Sequence, residues 1–131
     1  MNGDEIELSE RLSEKLYNLL DDYCSTVEGV VGIGISTPAG LEVSSHFNRK
    51  VNTKLAHAVS SVIYRYTQEM AKRLDYTGFR YNLTYTDNGI IALRKINTNT
   101  LIMVLVEPNA DVNNILTKME TMVTSINQIN L

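Results

Sequence analysis

Residues 101–106, LIMVLV, leave this chain few folds to choose from. At six residues the run is far short of the about 20 needed to cross a bilayer, and it is too short for a buried helix. It reads as a strand with both faces apolar. Such a strand belongs inside a sheet that is covered on both sides. Pro108 ends it.

The cover has to come from helices. Residues 5–24 place Leu8, Leu12, Leu16, Leu19, Leu20 and Tyr23 at three- and four-residue spacing, one helical stripe. Residues 52–74 read as the longest helix, with Gly78 just beyond its end. Leu55, Val59, Val62, Tyr66 and Met70 run along one stripe, and His57, Ser61, Tyr64, Gln68 and Ala71 form a second, half-polar one. Residues 111–128 make the third helix, with Val112, Ile115, Leu116, Met119, Met122, Val123 and Ile126 inward.

Strands fill the gaps. EGVVGIGIS turns at Thr37-Pro38-Ala39-Gly40 into residues 41–46, a first hairpin in which Gly40 is free to take a positive φ. After the long helix, Phe79, Tyr81, Leu83 and Tyr85 alternate with Arg80, Asn82, Thr84 and Thr86. Asp87-Asn88-Gly89 then signals a tight hairpin into residues 90–96. The element order is α-β-β-α-β-β-β-α, an α/β chain of the α+β type. Connections this short make the sheet largely antiparallel. No stretch resembles a linker or a repeat, so residues 1–131 read as a single domain.

Composition supports an autonomous core. With 131 residues, 44% hydrophobic and 21% charged, the chain is an ordinary globular sequence, large enough to fold without a disulfide or a metal. Cys24 is the one cysteine, which suits a reducing, cytoplasmic setting. The N-terminus is acidic and has no apolar core of the signal-peptide kind. Charge is unevenly placed. Residues 1–28 hold eight acids against Arg11 and Lys15, whereas residues 49–80 hold seven bases against Glu69 and Asp75. The net charge of −3 argues against a dedicated nucleic-acid binder, but the contrast gives two surfaces of opposite sign.

No chemical motif survives inspection. The glycines of Gly29-Val30-Val31-Gly32-Ile33-Gly34 lie inside a strand and lack the lysine and hydroxyl that end a phosphate loop. They read as places of close helix approach. Cys24 has no neighbouring base and reads as a buried, inert thiol. His46 and His57 have neither a third ligand nor a carboxylate that would orient them. The residues therefore give no catalytic, cofactor or metal site, and the expectation is no enzyme and no cofactor.

Two features remain. The strand from residue 79 reads as an edge whose open backbone groups invite pairing with another chain, and the half-polar stripe of the long helix offers a second contact surface beside it. The expected dimer interface is His57, Ser61, Tyr64, Gln68 and Ala71 from the helix with Phe79, Tyr81, Asn82, Leu83 and Tyr85 from the strand. Arg65 and Lys72 are the expected surface for a further, acidic partner.

The chain resembles the Roadblock/LC7 family over about residues 5–128. The likeness rests on VEGVVGIGISTPAGLEV, on the helix LAHAVSSVIYRYTQEMAKRL and on YNLTYTDNGIIALRKINTNTLIMVLVEPNADVNNILTKM. Longin and profilin-like folds share parts of this layout. The resemblance implies a five-stranded antiparallel sheet in the order 2-1-5-4-3, with the first and last helices on one face and the long helix on the other. It implies homo- or heterodimers joined through the third strands and long helices. It also implies a role as scaffold or regulator for small Ras-like GTPases, without a cofactor, nucleic acid or membrane insertion.

Two other functions compete. A PAS- or profilin-like ligand sensor, or a general scaffold, would use the same fold, but a sensor needs a pocket with convergent polar groups. The strand faces here are filled by Val, Ile, Leu and Met. A small hydrolase would need a nucleophile, base and orienter that the sequence does not offer.

Overall fold

The structure, a computed structural model, describes residues 3–129. Helix α1 (Gly3–Thr26) leads into strands β1 (Val30–Ser36) and β2 (Glu42–Phe47), followed by α2 (Thr53–Arg73). Then come β3 (Tyr81–Thr86), β4 (Gly89–Asn97), β5 (Thr100–Val106) and α3 (Val112–Gln128). The sheet has the order β2-β1-β5-β4-β3, and every neighbouring pair is antiparallel. This is the expected topology, with β5 central and buried along its whole length.

Alternation along the strands splits the core in two. Ile33 and Ile35 of β1 stand beside Val104 and Ile102 of β5, and this face carries Leu16 and Leu20 of α1 with Ile115, Met119 and Ile126 of α3. The Tyr23 hydroxyl ties these two helices by donating to the Ile115 carbonyl at 2.8 Å. On the other face, Leu93, Leu101, Met103 and Leu105 pack with Tyr64 of α2. This second cluster is the smaller, because Gly32 and Gly34 supply no side chain to it.

Chain breaks follow local chemistry. Gly40 takes φ +87° in the first hairpin, as its sequence context requires. Asn52 caps α2 by accepting from the Leu55 N–H, and Asp111 caps α3 by accepting from Asn114. Helix α2 ends at Arg73 with Leu74 as its cap, and the chain turns out at Asp75, not Gly78. Asp75 adopts φ 59° and the following Tyr76 N–H bonds back to the Ala71 carbonyl at 2.9 Å. Helix α1 is longer than the sheet beneath it. Its described side chains from residue 3 to residue 11 are exposed.

Candidate interaction surface

Helix α2 lies on the sheet by its polar side. His57, Ser60, Ser61 and Tyr64 are its buried residues. The reason is the bare backbone of β1. A Cβ added at Gly34 would sit 2.3 Å from His57 Cε1, and one at Gly40 would sit 2.8 Å from Ala58 Cα. Only small or flat side chains fit between a helix and a glycine-bearing strand at this approach. His57 is 1% exposed and its Nε2 lies 2.9 Å from the Ser45 hydroxyl. Ser60 donates to the Met103 sulfur, and Ser61 to the Ala58 carbonyl. Tyr64 stacks on Phe79 with centroids 5.0 Å apart.

The opposite side of α2 is apolar and open. Leu55, Val59, Val62, Ile63, Tyr66 and Met70 are all exposed, Tyr66 by 67% and Met70 by 57%. At 100° per residue they share one stripe of the helix. This reverses the expected interface. His57, Ser61 and Tyr64 are consumed by the chain's own sheet, and the unpartnered face is the first, greasier stripe. Gln68 and Ala71 continue the inward stripe toward the C-terminal end of α2, where Gln68 is exposed and Ala71 half-buried. Gly34 carried the signal, since His57 fills the space above it, whereas Gly32 is covered by Phe47 of β2.

Strand β3 is an edge, as expected. Tyr81 and Leu83 are half-buried and pack toward the larger core, Asn82 is half-buried on the other face, and Tyr85 is exposed. The Asn82 amide donates to the Thr67 hydroxyl of α2 at 2.9 Å, so β3 runs beneath the flank of α2 that borders the apolar stripe. The other side of β3 is held by α3. Arg94 makes two bonds of 2.9 Å to the Glu120 carboxylate, and the Tyr81 hydroxyl donates to the same carboxylate. Partial burial, the largest influence, pushes the Glu120 carboxyl up. The bonds from Tyr81 and Arg94 and the charge of Arg94 outweigh it and leave the group below its usual value. Arg65 and Lys72 are exposed and line a groove of about 900 Å³ at the end of α2, together with Tyr66, Tyr76 and Phe79.

The remaining chemistry-bearing residues are structural. Cys24 is buried, and burial raises its thiol pKa despite a hydrogen bond from Asn48. His46 joins Tyr17 of α1 at 3.0 Å and Asp21 at 3.4 Å. Ser45 and His57 have the spacing of a nucleophile and its base, but Glu42 approaches the same Nε2, at 3.8 Å, and Nδ1 has no partner. Nothing therefore orients the ring for catalysis. Among the described residues there is no cluster of three or more His, Cys, Asp or Glu that could hold a metal, and no helix is long and apolar enough to cross a membrane.

Solved structures share this architecture. A Roadblock/LC7 domain from Streptomyces avermitilis superposes with a TM-score of 0.79 at 18% identity, over 86% of this chain and 94% of that one. The chain has the Roadblock/LC7 fold. The gliding protein MglB from Thermus thermophilus gives 0.80 at 10% identity over 90% of each chain. An MglB with a tetrameric arrangement gives 0.81 at 10% identity, over 90% of this chain and 89% of that one. No protein-family model matches the sequence, and no curated protein matches it. In Roadblock/LC7 terms, the open β3 edge and the apolar stripe of α2 are the unpartnered parts of the fold.

Proposed function

We propose that this chain is a cytoplasmic, non-catalytic interaction module that dimerises and, as a dimer, binds and regulates a small Ras-like GTPase. The observation that carries the reading is the exposed stripe Leu55, Val59, Val62, Ile63, Tyr66 and Met70 beside an open strand edge. Six large apolar side chains in one row are more than a monomeric surface ordinarily leaves in water. A second copy related by a two-fold axis covers them with their own counterparts, and it pairs β3 with β3 into one continuous sheet. The dimer contacts are then this stripe and the β3 residues Tyr81, Asn82, Leu83 and Tyr85, with Phe79, Gln68 and Ala71 at the margin.

The GTPase part of the proposal rests on the resemblance to the Roadblock/LC7 family, many of whose members serve small GTPases. The groove at the end of α2 carries exposed Arg65 and Lys72 beside Glu69 and Asp75, a mixed surface whose two cations would meet acidic residues of the partner. Nucleotide-dependent capture tests it. The immobilised protein is incubated with extract of the source cell in GDP or in a non-hydrolysable GTP analogue. Retention of a Ras-like GTPase in one nucleotide state, lost in the double variant Arg65→Glu/Lys72→Glu, is the expected outcome. Retention that ignores both nucleotide and variant would remove the GTPase role while leaving the dimer intact.

A further inference from the structure

The flank of α2 away from β3 covers a cavity of about 180 Å³ at the end of the sheet. Tyr64, Arg65 and Gln68 line it from the helix, Lys95 from β4, Thr100 from β5 and Pro38 from the first hairpin. No carboxylate is among its lining residues. Neither Arg65 nor Lys95 has a salt-bridge partner among the described residues. Lys95 stands opposite Leu101 in the β4–β5 ladder, on the face that α2 covers. Lys95 therefore brings its charge to a cavity whose lining offers no counter-charge, and Arg65, whose guanidinium stands 5.8 Å from the centroid of the Tyr66 ring, lines the same cavity.

A second observation points the same way. Thr100 is 4% exposed and its hydroxyl has no hydrogen-bond partner. Among the described residues, His57 Nδ1 is the other buried side-chain N or O atom without one. Buried hydroxyls are ordinarily satisfied. A rotation about χ1 exchanges the hydroxyl and methyl positions of a threonine, so Thr100 is able to turn its O–H toward a guest.

We propose that this cavity is a binding site for a small tetrahedral oxyanion of the phosphate class. Positive charge comes from Lys95, Arg65 adds its own on turning away from the Tyr66 ring, and neutral donors come from Thr100, Tyr64 and Gln68. These groups come from three different elements, which suits a tetrahedral ion accepting in several directions better than a planar carboxylate. A volume of about 180 Å³ leaves room for a phosphoryl group. Lys95 and Thr100 lie off the apolar stripe and the β3 edge, whereas Arg65 borders the stripe through Tyr66.

Inorganic phosphate is the probe, titrated against sodium chloride at matched ionic strength. Thermal unfolding and backbone amide NMR follow the binding. The expected result is a saturable rise in Tm with shifts confined to residues 61–68 and 95–101. Lys95→Met should weaken binding at least tenfold. Thr100→Val keeps the shape and removes the hydroxyl. It should unfold in chloride no earlier than the wild type, because that hydroxyl bonds nothing in the empty cavity, yet bind phosphate several-fold more weakly. A response no larger than that to chloride, or equal phosphate binding by both variants and the wild type, would overturn the site. Pelleting with vesicles that contain a phosphorylated inositide, without any response to free phosphate, would overturn its assignment to a small ion in solution.

Discussion

Burial beneath α2 leaves His57 with a bond to Ser45 at 2.9 Å and a bare Nδ1. Desolvation is the largest influence on the ring and lowers its pKa from the usual 6.5, while the Glu42 carboxylate opposes this from 3.8 Å. The sign of the linkage follows. The unfolded chain binds the proton more readily, so stability is full above pH 6.5 and falls as pH drops through 6.5 toward the folded value. Thermal unfolding between pH 7.5 and 5 should show that loss, and His57→Gln should flatten the slope over the same window. An unchanged slope would place the acid sensitivity elsewhere. A different residue sets a limit on backbone approach. Gly89 lies at φ +150°, and a Cβ there would meet the Val106 carbonyl oxygen at 2.4 Å. Gly89→Ala should cost about 1–3 kcal/mol in urea unfolding, as overpacking does. The sequence marks Gly89 as a hairpin residue. The turn itself consists of Asp87 and Asn88, and glycine is required by the neighbouring strand, a contact that local sequence does not reveal.

Strand β3 and helix α2 illustrate how far periodicity reaches. The backbone bond that closes the 86–89 turn fixes the phase of the ladder. Alternation then gives Asn82 and Thr84 to β4, and it turns the N–H groups of Leu83 and Tyr85 to the open edge. Tyr85→Pro should therefore weaken dimerisation at little cost to the fold, whereas Asn82→Pro should destabilise the monomer itself. Comparing urea midpoints with sedimentation for the two variants separates these effects. The Arg94–Glu120–Tyr81 cluster holds β3 from beneath. Removing the charge with Glu120→Gln should cost about 1 kcal/mol, since the carboxylate is 45% exposed and solvent screens the pair. It should also speed amide exchange in β3 more than in β5. Helix α2 was legible as an amphipathic helix, but not which of its faces turns inward. Hydrophobicity assigns the greasy stripe to the core. Here Gly34 of the sheet and Gly40 of the first hairpin leave spaces that His57 and Ser61 fill, and Ser60 turns inward to Met103. That choice depends on which strand lies opposite the helix, information held in the tertiary pairing of β1 with β5.

For the whole molecule, the central strand, the two-sided cover and the antiparallel connections were readable from the residues, because burial and turn chemistry act locally. The strand order came from resemblance, and the structure bears it out. The proposed interaction surface was half legible. The edge strand follows from its alternation and its place after the long helix, whereas the apolar face of α2 emerges only once its polar face is seen to be buried. The acidic first helix and the basic stretch around α2 remain on the exterior, where salt would modulate encounter with a charged partner more than dimer stability. Sedimentation equilibrium at ten micromolar weighs directly whether two copies close over Val62 and its neighbours. The proposed dimer predicts twice the chain mass of 14.7 kDa for the wild type. For Val62→Arg, whose side chain lies outside the core, it predicts the single-chain mass with an unchanged circular dichroism spectrum. A monomeric wild type, or a Val62→Arg variant that sediments as the dimer, would contradict it.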